Sequence, residues 1–91
     1  MHDNVVCIDV DGTLLKKGKI NKNLIDWIRL NRKKFKIYLW SLAGESHARN
    51  VAKKFKLESL FDEIISKPHL IIDDRGWSWI KETRVIKING T

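Results

Sequence analysis

The chain has 91 residues, of which 43% are hydrophobic and 32% are charged, and these values are typical of one compact globular domain. This length leaves no room for a catalytic core and a separate substrate domain, so a single domain over residues 1–91 is predicted. No apolar run approaches the ~20 residues of a transmembrane helix, and the amino-terminal region lacks the pattern of a signal peptide. We therefore expect a cytoplasmic protein with no membrane contact.

The formal net charge is +7, and the basic residues stand in short clusters along the chain. These clusters are Lys16, Lys17 and Lys19, then Arg32, Lys33, Lys34 and Lys36, then Lys53, Lys54 and Lys56. Clustered lysines attract polyanions, although a basic surface also serves solubility alone. The charge is thus compatible with nucleic acid as a partner without requiring it.

The first part of the chain predicts a strand followed by a helix. Residues 4–8 form a continuous apolar run that ends at an aspartate, which is typical of a central parallel strand buried on both faces. Cys7 in this run is expected to pack as a small apolar side chain. Residues 23–34 carry apolar side chains at spacings of three and four, which predicts an amphipathic helix. Either Asn21 or Asn23 is suited to cap it.

The rest of the chain repeats this alternation. Residues 37–40 predict a second buried strand, and the segment after Gly44 predicts a second amphipathic helix. Further strands are predicted over residues 61–66, 70–72 and 85–88, with a short helix over residues 76–82. Strands that alternate with helices predict the α/β class. The expected architecture is a Rossmann-like, doubly wound parallel sheet of about five strands with helices on both faces, which makes three layers.

Polar residues stand at the carboxyl ends of three predicted strands. They are Asp9 and Asp11 after the first, Ser41 after the second, and Asp73 and Asp74 after residues 70–72, which Lys67 precedes. Parallel strands bring such ends to one edge of a sheet. Carboxylates that meet there repel one another unless a cation lies between them, and their hard oxygens favour Mg²⁺. The loop from Gly12 to Leu15 offers backbone amides to a phosphate.

These residues also form a known pattern. Residues 9–14, Asp-Val-Asp-Gly-Thr-Leu, resemble the first motif, D-x-D-G-T-L, of the haloacid dehalogenase superfamily. Ser41 is similar to the second motif, Lys67-Pro68 to the third, and the acidic segment at residues 71–75 to the fourth. The resemblance implies a magnesium-dependent phosphatase in which Asp9 forms an aspartyl-phosphate and Asp11 is the general acid and base. An aspartate at position 11 is typical of the phosphatases of this family and is absent from its dehalogenases.

The resemblance implies roles for the remaining site residues as well. Lys67 would neutralise charge on the nucleophile and on the phosphoryl group, and Lys67 would bind the phosphate together with Gly12, Thr13 and Ser41. Magnesium would be held by the Asp9 carboxylate, the backbone carbonyl of Asp11 and one acid of the fourth motif. Asp74 is favoured as that ligand, with Asp73 as the nearby alternative.

Many members of this family carry a cap domain that closes over a small substrate, and here neither gap between motifs is long enough to hold one. An open site favours a large phosphorylated substrate such as a nucleic-acid end, and nucleotides also fit the basic surface. Two alternatives stay open. One is a small-metabolite phosphatase, for example for sugar phosphates, whose site an oligomer closes. The other is a module that binds phosphate or a partner and has lost useful turnover.

Overall fold

The computed structural model describes residues 4–88. In chain order the elements are β1 (Val5–Asp9), β2 (Leu15–Lys16), β3 (Lys19–Ile20), α1 (Lys22–Asn31), β4 (Lys36–Ser41), α2 (Glu45–Lys54), a 3-10 turn (Glu58–Leu60) and β5 (Glu63–Ser66). The predicted α/β class is confirmed by this mixture of a parallel sheet with two helices. Within residues 4–88, neither helix has the length and apolar character that crossing a lipid bilayer requires.

The main sheet has three parallel strands in the order β1-β4-β5. Ile8 lies beside Leu39, and Leu39 lies beside Ile64, so one buried residue from each strand forms a row across the sheet. Both crossovers run in the same direction, and because such crossovers are right-handed, α1 and α2 lie on the same face. The row of three side chains therefore packs into one core with the apolar residues of both helices.

The two helices form where the apolar spacing predicts them. In α1 the buried residues are Leu24, Ile25 and Ile28, and the Asn21 side chain caps the first turn by accepting from the Leu24 amide at 3.1 Å. In α2 the buried residues are Ala48, Val51 and Ala52. The burial of these faces against the sheet stabilises both helices, since ten-residue helices are marginal in isolation.

The opposite face of the sheet is less well covered, which corrects two predictions. β1 was predicted to be central and buried on both faces, yet it is an edge strand, and Val5 and Cys7 are exposed. The structure thus has one helical layer on the sheet among residues 4–88, where two were predicted. The reason is that the chain after Ser66 forms neither of the predicted strands nor the predicted helix in this part of the sequence.

The segment after β5 shows why apolar composition alone does not produce a strand. Residues 70–72 pair with no strand, and they leave Leu70 76% and Ile72 91% exposed. A run of three residues offers few ladder hydrogen bonds, and Pro68 just before it has no amide proton to donate. Residues 74–79 form turns instead of a helix, since Gly76 has a φ of 58°, which a right-handed helix does not contain.

Residues 85–88, also predicted as a strand, run as an extended strap beside α1. The side chain of Asn21 donates to the Ile86 carbonyl at 2.6 Å, and that of Asn23 donates to the Lys87 carbonyl at 2.9 Å. Side chains thus supply hydrogen bonds that a neighbouring strand was expected to supply. This placement brings the strap next to the β2–β3 hairpin.

Candidate active site

Three strand ends meet at one edge of the main sheet. In the register of the parallel strands, Asp9 of β1 lies beside Trp40, and Ser41 of β4 lies beside Ser66 of β5. Lys67 follows directly, and its backbone amide donates to the Ser41 carbonyl at 2.9 Å. The strands therefore place Asp9, Ser41 and Lys67 in neighbouring positions along the carboxyl edge, where open parallel sheets bind their ligands.

The side chain of Lys67 turns toward the end of β1. Its Nζ lies 3.9 Å from Oδ1 of Asp9, and both side chains are about one-third exposed. The same ammonium group lies 5.7 Å from the centroid of the Trp40 ring, which favours a cation. Lys67 is therefore placed to neutralise the Asp9 carboxylate and an anion that approaches it.

Ser41 is 2% exposed, and its Oγ accepts a hydrogen bond from the Ala43 amide at 3.0 Å. This bond fixes the turn between β4 and α2, and the Gly44 amide adds a second one to the Ser41 carbonyl at 3.0 Å. A serine hydroxyl can donate as well as accept, so Ser41 also has the chemistry to donate to a ligand oxygen. A phosphate oxygen next to Asp9 is a suitable acceptor.

The loop after β1 is tightly folded on itself. The amides of Thr13, Leu14 and Leu15 all donate to the Val10 carbonyl at 3.0–3.2 Å, and the Gly12 amide donates to the Leu15 carbonyl at 2.8 Å. Gly12 has a φ of 85°, which favours glycine. We expected the amides of Gly12 and Thr13 to face a phosphate. In the structure they hold the loop together instead, because each already has a carbonyl partner.

Asp11 is paired with a residue that the sequence did not single out. Nε2 of His47 lies 3.0 Å from Oδ2 and 3.2 Å from Oδ1 of Asp11. His47 stands in the first turn of α2, and the amino ends of helices that follow parallel strands reach the carboxyl edge of the sheet. That position was a usable signal; because His47 lacks a metal-ligand spacing, the sequence favoured a solvated or hydrogen-bonded side chain, and the structure shows the hydrogen-bonded one.

Asn21 is a second residue whose importance exceeds its predicted role as a cap. It is 1% exposed, and its Nδ2 donates to the Thr13 carbonyl at 3.1 Å as well as to the Ile86 carbonyl. The backbone N–H of Asn21 also donates to the Leu14 carbonyl at 2.9 Å. One buried side chain therefore joins the loop after β1, the start of α1 and the carboxyl-terminal strap.

The acids of the fourth motif lie apart from this edge in their present arrangement. Asp73 and Asp74 are exposed, and Oδ1 of Asp73 accepts from the Arg75 amide at 2.8 Å within a local turn. Across residues 4–88 there is no cluster of three or more His, Cys, Asp or Glu side chains able to hold a metal. The acidic part of the edge is the pair Asp9 and Asp11.

This pair fits the donor chemistry of magnesium. Mg²⁺ is commonly bound through one or two carboxylates, keeps several waters and completes its coordination with substrate phosphate. Asp9 supplies a carboxylate and Asp11 a backbone carbonyl, and the side chains of the two residues are 34% and 61% exposed, so water and a phosphate have access to this part of the edge.

The site is open toward solvent along the described chain. Between Asp11 and α1 there is only the β2–β3 hairpin, and between Ser41 and Lys67 there are only α2, the 3-10 turn and β5. No inserted domain therefore covers the strand ends between residues 11 and 67. The Asp9 side chain itself is 34% exposed.

Comparison with protein-family models, with curated proteins and with solved structures gives no match for this chain.

Proposed function

We propose that the chain is a magnesium-dependent phosphomonoester hydrolase of the haloacid dehalogenase type, which acts through an aspartyl-phosphate on Asp9. The observation that carries this proposal is the placement of Lys67 Nζ 3.9 Å from Oδ1 of Asp9 at the carboxyl edge of a parallel sheet. The Lys67 ammonium group also attracts a phosphate toward the carboxylate that it faces. Ser41 adds a neutral donor at the next strand end.

The reaction has two steps. In the first, an Asp9 oxygen attacks phosphorus, the bond from phosphorus to the ester oxygen breaks, and Asp11 gives its proton to the leaving alcohol. In the second, water attacks the phosphorus of the aspartyl-phosphate, Asp11 takes the proton of that water, and inorganic phosphate leaves with Asp9 restored. Lys67 and Ser41 hold the phosphoryl oxygens in both steps.

Magnesium would be held by the Asp9 carboxylate and by Asp11, with Asp74 or Asp73 as the further acid. When bound, it neutralises charge on the phosphoryl oxygens. His47 contacts the Asp11 carboxylate from α2 and so fixes the position from which that group exchanges protons.

The proposal includes a wider, doubly wound sheet in which residues 70–72 add to β1. Two features support it: among residues 4–88, β1 pairs with β4 alone, and Leu70 and Ile72 expose apolar surface that pairing would bury. Such pairing would carry Asp73 and Asp74 to the end of β1. Hydrogen exchange tests this step, because the amides of residues 70–72 should be slowed by Mg²⁺ with a phosphate analogue. Unchanged exchange would rule the wider sheet out.

Hydrolysis of an aryl phosphate tests the chemistry without assuming a substrate. We expect release of phosphate that requires Mg²⁺, none in Asp9→Asn, and a rate lowered by about 10²- to 10⁴-fold in Asp11→Asn. Asp26→Asn, on the exposed side of α1, is the matched control and should leave the rate unchanged. An Asp9→Asn variant as active as the parent would refute the nucleophile.

A second candidate function is phosphate binding without turnover. It is favoured by one observation, namely that Asp73 and Asp74 lie outside the acidic edge formed by Asp9 and Asp11. This candidate predicts that inorganic phosphate binds and that Lys67→Ala weakens the binding, while the parent and Asp9→Asn release phosphate from aryl esters equally slowly. Calorimetry with phosphate, run beside the hydrolysis assay, separates the two functions.

A further inference from the structure

A cleft of about 240 Å³ lies beside the loop that follows β1. It is lined by Gly12 and Lys16 on one side, by Asn21, and by residues 85–88 of the strap on the other side. Gly12 directly follows Asp11, so the cleft adjoins the candidate active site. A methyl group added at Gly12 would meet no atom within 4 Å outside its chain neighbours.

The lining of the cleft is basic. It contains Lys16 and Lys87 and no acidic residue. In the β2–β3 hairpin Lys16 stands directly opposite Lys19, an arrangement of like charges that destabilises a strand pair unless an anion compensates it. Within the described residues, none of the lysines of the hairpin and the strap forms an ion pair. Their charge is therefore available to a ligand.

Both walls of the cleft are held in place before any ligand binds. The hairpin turns at Lys17 and Gly18, which have φ values of 52° and 76°, as the tight two-residue turn of a hairpin requires. A lysine at positive φ is uncommon, because asparagine, aspartate or glycine adopts this conformation at lower cost. The strap is fixed by the hydrogen bonds of Asn21 and Asn23 to the carbonyls of Ile86 and Lys87.

We infer that this cleft binds the phosphodiester next to the reacting phosphate, and that the substrate is the phosphorylated end of a single-stranded nucleic acid. The inference rests on the proposed function for its reacting group. A nucleic-acid strand supplies a second anion at a constant spacing from its terminal phosphate, which the adjoining cleft with Lys16 and Lys87 would receive. Lys17 and Lys19 extend the same basic path toward the hairpin tip. An anionic membrane fits less well, because the tip carries no apolar or aromatic side chain to enter it.

Binding is measured first, because it does not depend on turnover. The probe is a short fluorescent oligothymidylate with a terminal phosphate, titrated against the Asp9→Asn protein by anisotropy at several salt concentrations. The double variant Lys16→Gln/Lys87→Gln should bind the oligonucleotide about tenfold more weakly. The slope of log affinity against log salt concentration should fall by the amount expected for the loss of about two phosphate contacts. The matched control is Lys33→Gln/Lys34→Gln, which removes the same charge from the turn before β4, at the opposite edge of the sheet.

The control should change affinity by less than about twofold. If both double variants weakened oligonucleotide binding equally, the proposed role of the cleft would be overturned, because only general surface charge would then matter. Preference for vesicles of anionic phospholipid over the oligonucleotide would overturn it as well.

Hydrolysis provides the second readout. The ratio of kcat/KM for the phosphorylated oligonucleotide to kcat/KM for the aryl phosphate should fall about tenfold in Lys16→Gln/Lys87→Gln and stay constant in the control. If the enzyme is active and Lys16→Gln/Lys87→Gln leaves this ratio unchanged, the cleft does not bind the substrate, and the proposed function is not contradicted. Selective binding without hydrolysis of either substrate supports the cleft and refutes the proposed function.

Discussion

His47 and Asp11 are in hydrogen-bond contact at the carboxyl edge of the main sheet, with Nε2 of the histidine 3.0 Å from Oδ2 of the aspartate. The two residues come from different elements, the first turn of α2 and the loop after β1. Since an unsupported aspartate on an exposed loop has several rotamers, this contact selects one of them. His47 is therefore a positioning residue for the proposed general acid and base.

Removal of this contact should slow the chemical step more than it weakens substrate binding. We expect His47→Ala to lower kcat by about two- to tenfold, the range of one partly exposed hydrogen bond, with KM nearly constant. His47→Gln, which keeps a donor, should recover part of the loss. Steady-state kinetics with an aryl phosphate measure both values, and His69→Ala is the matched control on an exposed histidine. A change in KM alone would contradict the positioning role.

Asn21 should matter more to stability than a capping residue usually does. Asn21→Ala removes the α1 cap and leaves the Thr13 and Ile86 carbonyls without their donor, so we expect a loss of about 2 to 4 kcal/mol in the free energy of unfolding. Asn21→Asp keeps the cap acceptor but places a carboxylate oxygen against the Thr13 and Ile86 carbonyls in a buried position, so it should lose at least as much stability. Urea unfolding measures both variants, with Asn23→Ala as the neighbouring comparison. A loss of under about 0.5 kcal/mol in Asn21→Ala would show that the chain relaxes around the site.

The sheet depends on the apolar row that crosses its three strands. Leu39 is fully buried in the middle strand, so Leu39→Ala should cost about 2 to 5 kcal/mol from lost burial and the cavity that remains. The free energy of unfolding of a small domain is only about 5 to 15 kcal/mol, so such a loss is a large part of it. Leu30→Ala on the exposed side of α1 removes the same atoms and should change stability by less than about 0.5 kcal/mol. Thermal unfolding followed by circular dichroism compares them, and similar midpoints would contradict the assigned core.

Cys7 lies on the exposed face of β1, yet it should react slowly with alkylating reagents. Partial burial disfavours the thiolate and raises the pKa of the Cys7 thiol above its usual range. At any pH below that pKa the folded protein therefore has less of the reactive anion than the unfolded chain has. Iodoacetamide should modify Cys7 more slowly in buffer than in urea at pH 8, and the difference should shrink as the pH rises. Equal rates would show that burial does not protect the thiol.

The sequence predicted the elements whose signal is local. The runs at residues 4–8 and 37–40 and the helical spacing at residues 23–34 all lie within two or three residues of observed elements. In α1 periodicity determines both the conformation and the buried face, whereas the two continuous apolar runs predicted strands but did not show that one face of β1 is exposed. The runs at residues 70–72 and 85–88 are unpaired in the structure, because a strand also needs a partner and sequence periodicity does not identify one.

The candidate site likewise contains residues that the sequence identified and residues whose contacts only the structure shows. The strand ends that carry Asp9 and Ser41 were found from the sequence because position along a strand fixes position along the sheet edge, whereas Lys67 was identified by its resemblance to the third motif. The contacts of His47 and Asn21 depend on how a helix and a strap pack in three dimensions, and no spacing in the sequence encodes that packing. Amide donors at Gly12 and Thr13 were expected to face a phosphate, and the internal bonds of the loop use them.

The order of the chain has a consequence for folding. All ladder pairs of the main sheet lie within residues 5–66, so β1, α1, β4, α2 and β5 can form their core before the later residues join it. Formation of the two parallel pairings, which join distant parts of the chain, is then the slow event. The strap, which contacts the core through the carbonyls of Ile86 and Lys87, would dock afterwards as a separate and less stable unit. Native-state hydrogen exchange should find the strap opening at a lower free energy than the sheet.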